Sequence, residues 1–236
     1  MSELGQVLEV MHTSSESCHS LRLEGHEWRH RETFSRAWKH HLDELRRCGA
    51  ASVRSFAFKK GGEGEPAPES REIWRVWLAK PDKRRAEFQV GDDMVTAVFA
   101  GQRWWSKSPN GFRTNEGALN SGHGFGPGAA LIDPAAYLAV LQLSVDSRTT
   151  FLSRPAFVVT AIPRAIDPHE FNATFHMLGT GADLYQLVID AELGILLRSE
   201  ADFRGDAFRV IEVDAIGVDE QFSEATFDGE RLRNVE

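Results

Sequence analysis

The run His26-Glu27-Trp28-Arg29-His30 is an H-E-x-x-H match. On a helix, this spacing would place two imidazoles one turn apart as zinc ligands, with Glu27 as general base and Glu44 as a possible third ligand. Gly25 precedes the run, however, and residues 21–24 alternate as a strand would. In a strand the two imidazoles would lie roughly 13 Å apart, at about 3.3 Å per residue, which is too far for one metal. We therefore expect neither a metal nor a catalytic residue here, and a zinc hydrolase is the less favoured alternative.

The remaining histidines are scattered, and one of them stands out. His123 lies with Phe125 in the Gly-rich stretch 117–130, and side chains on such loops often carry function. The alternating glycines at 122–128 match neither a dinucleotide fingerprint nor a phosphate-binding loop. The sequence thus predicts no cofactor.

Charge is unevenly distributed along the 236 residues. The net charge of −8 argues against a nucleic-acid binder. Residues 21–60 carry ten Lys/Arg and five Asp/Glu, or +5, whereas residues 183–236 carry five Arg and fourteen Asp/Glu, or −9. The basic segment could touch anionic lipid headgroups peripherally, or it could pair with the acidic part of the same chain.

The cysteines and the first residues bear on location. Cys18 and Cys48 form no C-x-x-C pair, so we expect ordinary thiols in a reducing compartment, or a single bridge if the protein is exported. Polar residues interrupt the apolar ones in residues 1–18, unlike a secretory leader. The sequence therefore predicts a cytoplasmic protein, or an extracytoplasmic one if an upstream leader is missing. No stretch approaches the roughly 20 apolar residues of a membrane span.

Hydrophobic periodicity predicts a single, mainly β domain over 1–236. Helical spacing favours helices over 2–13 and 31–48, with Gly49 as a cap for the second. Asp133 and Pro134 are suited to begin a third helix, over 134–141. Alternation between turn residues predicts strands at 18–29, 52–58, 72–79, 84–90, 93–100, 102–107, 142–151, 155–163, 183–190, 194–203 and 207–217.

Three segments resemble the LolA-like superfamily of lipoprotein carriers (LolA, LolB and LppX types). They are LAKPDKRRAEF at 78–88, AGQRWWS at 100–106, and the closing hairpin LYQLVIDAELGILLRSEADFRGDAFRVIEVDAIGVDEQFSEATF at 184–227. The resemblance covers about 71–227, and we interpret the predicted helix at 31–48 as an insertion. It implies a strongly curved antiparallel sheet, an incomplete barrel, whose concave face is plugged by helices.

The same resemblance implies a hydrophobic ligand, such as a lipid or an acyl chain, held in the concave cavity without catalysis. We expect the Gly-rich loop and the following helix, together 117–141, to form a lid. Alternatives are an enzyme of this fold acting on a small aromatic substrate, or an interaction module that uses the 31–48 helix. The residues expected to contact the ligand are Trp77, Phe99, Trp105, His123, Phe125, Tyr137, Leu141 and Tyr185.

Overall fold

A computed structural model describes residues 2–47, 67–116, 126–164 and 177–234. The helices are α1 (Glu3–Thr13), α2 (Arg31–Arg47) and α3 (Ala129–Ile132). The strands are β1 (Ser20–His30), β2 (Glu69–Ala79), β3 (Lys83–Val90), β4 (Asp93–Ala100), β5 (Arg103–Ser108), β6 (Gly111–Glu116), β7 (Leu141–Phe151), β8 (Arg154–Pro163), β9 (Leu184–Asp190), β10 (Leu196–Phe203) and β11 (Asp206–Val218). Short 3₁₀ turns span Ser14–Glu16, Pro134–Tyr137, Glu224–Phe227 and Gly229–Asn234.

The strands form one eleven-stranded antiparallel sheet in the order β6-β5-β4-β3-β2-β1-β11-β10-β9-β8-β7. Strands β2 to β6 and strands β7 to β11 are two meanders, and the pairing of β1 with β11 joins them at the centre. Strands β6 and β7 lie at the two edges of this order, so the described sheet is an incomplete barrel. The predicted fold class is confirmed.

The concave face of the sheet bears the helices and the main core. Helix α1 contacts β7, α2 contacts β1 and β11, and α3 contacts β10. Val7 and Met11 of α1 are fully buried against this face, as period-3.6 spacing requires of an amphipathic helix. Leu187 and Ile189 belong to the same core and are also fully buried.

A second, smaller core lies on the convex face of β4 and β5. It is covered by the C-terminal 3₁₀ turns, and its buried members are Val98, Trp105, Phe227 and Leu232. The indole Nε1 of Trp105 donates to Glu230 Oε1 at 3.0 Å, which satisfies the polar end of a buried ring. Sequence patterning did not predict this C-terminal cover.

Most predicted elements are present, and β4 spans the predicted residues. Strand β6 was missed, although the Asn110-Gly111 turn before it was recognised. The predicted helix over 134–141 is wrong: a 3₁₀ turn ends at Tyr137, and Leu141 already pairs with Pro163 at the start of β7. Pairing with β8 therefore overrides the helical start signal at Pro134. The predicted strand at 52–58 and the Gly49 cap lie outside the described residues.

Candidate ligand-binding face

The concave face divides into two regions. We call the concave face of β7 to β11 the filled half and the concave face of β3 to β5 the open half. Phe157, Tyr185 and Leu187 of the filled half are each at most 2% exposed. The open half instead presents partly exposed apolar side chains, namely Phe88, Val95, Phe99 and Trp104.

Strand register places those four side chains on one face. Phe88 pairs with Val95, and Phe99 pairs with Trp104, so each pair projects to the same side of the sheet. Phe88 also pairs with Trp74, which lies in the main core and fixes this side as the concave one. The open half therefore presents apolar side chains from three adjacent strands, and Arg84 and Ser106 lie on the same face by the same registers.

The segment before α3 packs closely against the inner edge of this surface. A Cβ atom at Gly128 would overlap the Trp74 ring, and a Cβ at Gly126 would overlap the Phe88 ring. Gly126 also adopts φ +60°, a conformation that favours glycine. Glycine is thus required here by close contact as well as by backbone conformation. The pattern of glycines predicted a loop, and the structure gives two of them a packing role.

Two tyrosines anchor the filled half. Tyr137 donates its hydroxyl to the Ala130 carbonyl at 2.9 Å, and Tyr185 donates to the Gly179 carbonyl at 2.6 Å. Burial raises the pKa of both hydroxyls above the ordinary value, with a smaller opposing effect from Arg209. Both residues were predicted to contact ligand, yet here each holds the backbone of a covering segment in place.

A buried ion cluster lies on the concave face at the β1–β11 seam. Glu27 is 1% exposed and accepts from Arg29 Nε and Arg209 Nε at 2.5 Å each. Arg209 Nη1 also donates to the Met177 carbonyl at 2.6 Å. Burial acts to raise the pKa of Glu27, but the two guanidinium groups outweigh it and hold that pKa below its usual value. The carboxylate is therefore ionised and committed to these partners.

This geometry does not suit the H-E-x-x-H metalloprotease alternative. The motif lies in strand β1, as its flanking residues predicted. His30 Nδ1 is 2.9 Å from Thr33 Oγ1, while His26 Nδ1 is 2.9 Å from Asp214 Oδ2. Glu27 points to the opposite, concave face with Arg209. His26, Glu27 and His30 therefore each contact a different partner.

The structure separates the predicted ligand residues into groups. Phe99 lies in the open half, whereas Tyr137, Leu141 and Tyr185 are at most 1% exposed within the main core. Trp77 and Trp105 were expected to bound the cavity, but they project to the convex face and join the smaller core. Hydrophobic alternation in the sequence predicted which residues of a strand share a face, but it did not predict which face is concave. His123 and Phe125 lie outside the described residues, so their role stays a prediction.

Three residues of the open half were not among the predicted ligand contacts. Phe88, Val95 and Trp104 become neighbours of Phe99 only through the β3–β4 and β4–β5 registers. The Gly101-Gln102 turn between β4 and β5 was recognised in the sequence. Extending the pairing outward from that turn would have matched Phe99 with Trp104.

The uneven charge of the chain also has a structural counterpart. Arg22 of the basic segment pairs with Glu220 of the acidic one at 2.8 Å, and Arg36 lies 4.0 Å from Asp206. These contacts support the interpretation that the basic and acidic segments meet within one chain. Among the residues that the structure describes, no helix is both long and apolar enough to cross a bilayer.

Several solved structures match this chain. A structure of the Pseudomonas aeruginosa MucA/MucB complex matches with a TM-score of 0.52 and 11% identity, over 98% of this chain. The chain spans only 62% of the matched chain of that complex. An outer membrane lipoprotein-sorting protein domain from Vibrio parahaemolyticus matches at 0.36 and 9% identity, over 96% of this chain and 98% of its own. A LolA superfamily protein from Nitrosomonas europaea matches at 0.34 and 6% identity, over 98% and 100%.

The chain has a LolA-like fold. No protein-family model and no curated protein sequence matches the chain. At 11% identity the likeness to the chain of the MucA/MucB complex shows the fold alone and leaves function to be argued from the chain itself.

The prediction of a cytoplasmic location is wrong. The solved structures of similar fold stand against it. The prediction had relied on the composition of residues 1–18.

Proposed function

We propose that this protein binds a hydrophobic ligand, a lipid or an acyl chain, on the open half of its concave face and acts without catalysis. The observation that carries the proposal is the set of apolar side chains Phe88, Val95, Phe99 and Trp104, which are partly exposed although they lie on the concave side. Neighbouring apolar side chains that stay partly exposed on a concave face are typical of binding sites.

The chemistry of the open half suits an apolar chain better than a polar substrate. Its partly exposed members include one branched aliphatic and three aromatic side chains, and Arg84 and Ser106 also lie on this face. An acyl chain laid along such a surface is stabilised by about 0.8 kcal/mol per buried CH₂ group. No proton transfer or nucleophile is needed for this task.

The two opposite faces of β4 provide a matched test. Phe99 projects to the concave side, whereas Met94 projects to the convex side and is 47% exposed. We expect an environment-sensitive apolar dye to bind the unmodified protein with a dissociation constant on the order of 1 μM, about −8 kcal/mol, and to be displaced by fatty acid. Phe99→Asp should weaken dye binding at least about tenfold, because a carboxylate would be buried under the ligand.

Met94→Asp is the control and should leave dye affinity within about twofold, because an exposed residue on the other face meets no ligand. Circular dichroism should confirm that both variants are folded. Equal losses in the two variants, or dye binding that fatty acid cannot displace, would refute the assignment of the open half.

A protein partner is a second candidate. The structural neighbour with a TM-score of 0.52 was determined as a complex of MucA with MucB, so a chain of this architecture can take a protein ligand. Size-exclusion chromatography of the dye-bound protein with a candidate partner would separate the two possibilities, because a partner that uses the open half must release the dye.

A further inference from the structure

A cluster of three potential metal ligands lies on the convex face at the β1–β11 seam. One ligand atom from each of His26, Glu212 and Asp214 lies within 4.8 Å of the other two. His26 is directly opposite Glu212 in the register, and its Nδ1 is 2.9 Å from Asp214 Oδ2. The proposed ligand-binding surface is on the other face of the sheet and shares none of these residues.

A β-bulge brings the third residue into the cluster. Glu24 pairs with Ala215 and Gly25 pairs with Val213, so Asp214 is the extra residue between two regular pairs. Bulges re-aim a side chain in this way and are common beside functional sites.

Gly25 permits this local geometry. A Cβ atom at this position would overlap both the Glu212 carbonyl oxygen and the Trp74 ring. The glycine that precedes the H-E-x-x-H run therefore has a structural purpose: it lets β11 approach β1 closely at the bulge.

The burial of the three residues suits an ion that enters from solvent. The His26 side chain is 13% exposed and hence well fixed, while the Asp214 side chain is 53% exposed. Glu212 also meets Arg198 Nε at 2.9 Å, so an ion would compete with this guanidinium. Arg198 keeps a second partner in Glu200, which lowers the cost of releasing Glu212.

We propose that His26, Glu212 and Asp214 bind a divalent transition-metal ion of the zinc type, with water completing the coordination. An imidazole with two carboxylates is a donor set that zinc accepts, whereas Mg²⁺ and Ca²⁺ prefer oxygen ligands alone. The ion would link β1 to β11, the seam that joins the two meanders. This site differs from the one that the H-E-x-x-H motif implied, since it uses neither Glu27 nor His30, and it revises the expectation that no metal binds.

The test uses the full chain stripped with a chelator and titrated with zinc chloride. We expect about one zinc ion per chain and a higher thermal unfolding midpoint when zinc is added. His26→Asn and Asp214→Asn should each weaken binding at least about tenfold and abolish the zinc-induced shift. Magnesium chloride at the same concentration should produce no shift.

His30→Asn is the matched control, because His30 belongs to the same sequence motif but contacts Thr33 instead. This variant should bind zinc as tightly as the unmodified protein does. The zinc-induced shift is compared within each variant, so a loss of basal stability does not confuse the result. Unchanged binding by His26→Asn, or an equal loss in His30→Asn, would overturn the assignment. The dye experiment is unaffected by either outcome.

Discussion

The filled and open halves of the concave face share one sheet but differ in what covers them. In the filled half, α1 contacts β7 and the turn at Pro134–Tyr137, α3 contacts β10, and Phe157 and Leu187 are almost completely buried. In the open half, Phe99 and Trp104 remain partly exposed. The same hydrophobic patterning thus serves stability in one region and, on our proposal, binding in the other. In a curved sheet with apolar residues on both faces, the position of the helices decides which apolar residues are buried in the core and which remain available to bind a ligand.

The largest expected contrast comes from one chemical change made in both halves. Phe157→Ala should lower the free energy of unfolding by about 3 to 5 kcal/mol, because the ring is 2% exposed and its loss leaves a cavity. Phe99→Ala should cost only about 1 to 2 kcal/mol, because its ring is already partly in contact with water. Urea denaturation of both variants measures the difference. Similar costs would mean that the open half is as tightly packed as the filled half.

The buried Glu27 should matter almost as much as the core rings. Glu27→Gln removes the buried carboxylate that pairs with Arg209, whose side chain is 10% exposed, and with the more exposed Arg29, which should cost about 3 kcal/mol. Glu3→Gln is the control: Glu3 pairs with Arg148, both side chains are more than half exposed, and the loss of this pair should cost under about 1 kcal/mol. Equal effects would show that the buried cluster adds nothing beyond a surface pair.

The same residue predicts a direction for acid sensitivity. The pKa of Glu27 is held below its usual value in the folded protein, so the unfolded chain binds its proton more readily. The stabilisation is therefore complete above the unfolded pKa, about 4.3, and is lost as the pH falls through the lower folded pKa. Urea midpoints measured from neutral pH into this acidic range should fall more steeply for the unmodified protein than for Glu27→Gln.

Local sequence patterning predicted the strands better than it predicted the site. Alternation placed Trp74 and Val76 together on one face and Trp77 on the other, which the structure bears out. It could not identify the concave face, because β4 carries apolar side chains on both sides. The covering of Trp105 by Phe227 and Leu232 depends on contacts between residues more than 100 positions apart, beyond the reach of a periodicity argument. Glu27 was interpreted as part of a metal motif because its partner Arg209 lies 182 positions away in the sequence.

Covalent labelling by a photoreactive fatty acid tests the binding proposal most directly. Peptide mass spectrometry of the irradiated protein should locate the label on the concave side of β3 to β5, at Phe88, Val95, Phe99 or Trp104. Unlabelled fatty acid should suppress it. Labelling confined to convex residues such as Ile73 and Met94, or labelling that excess fatty acid does not reduce, would contradict the account.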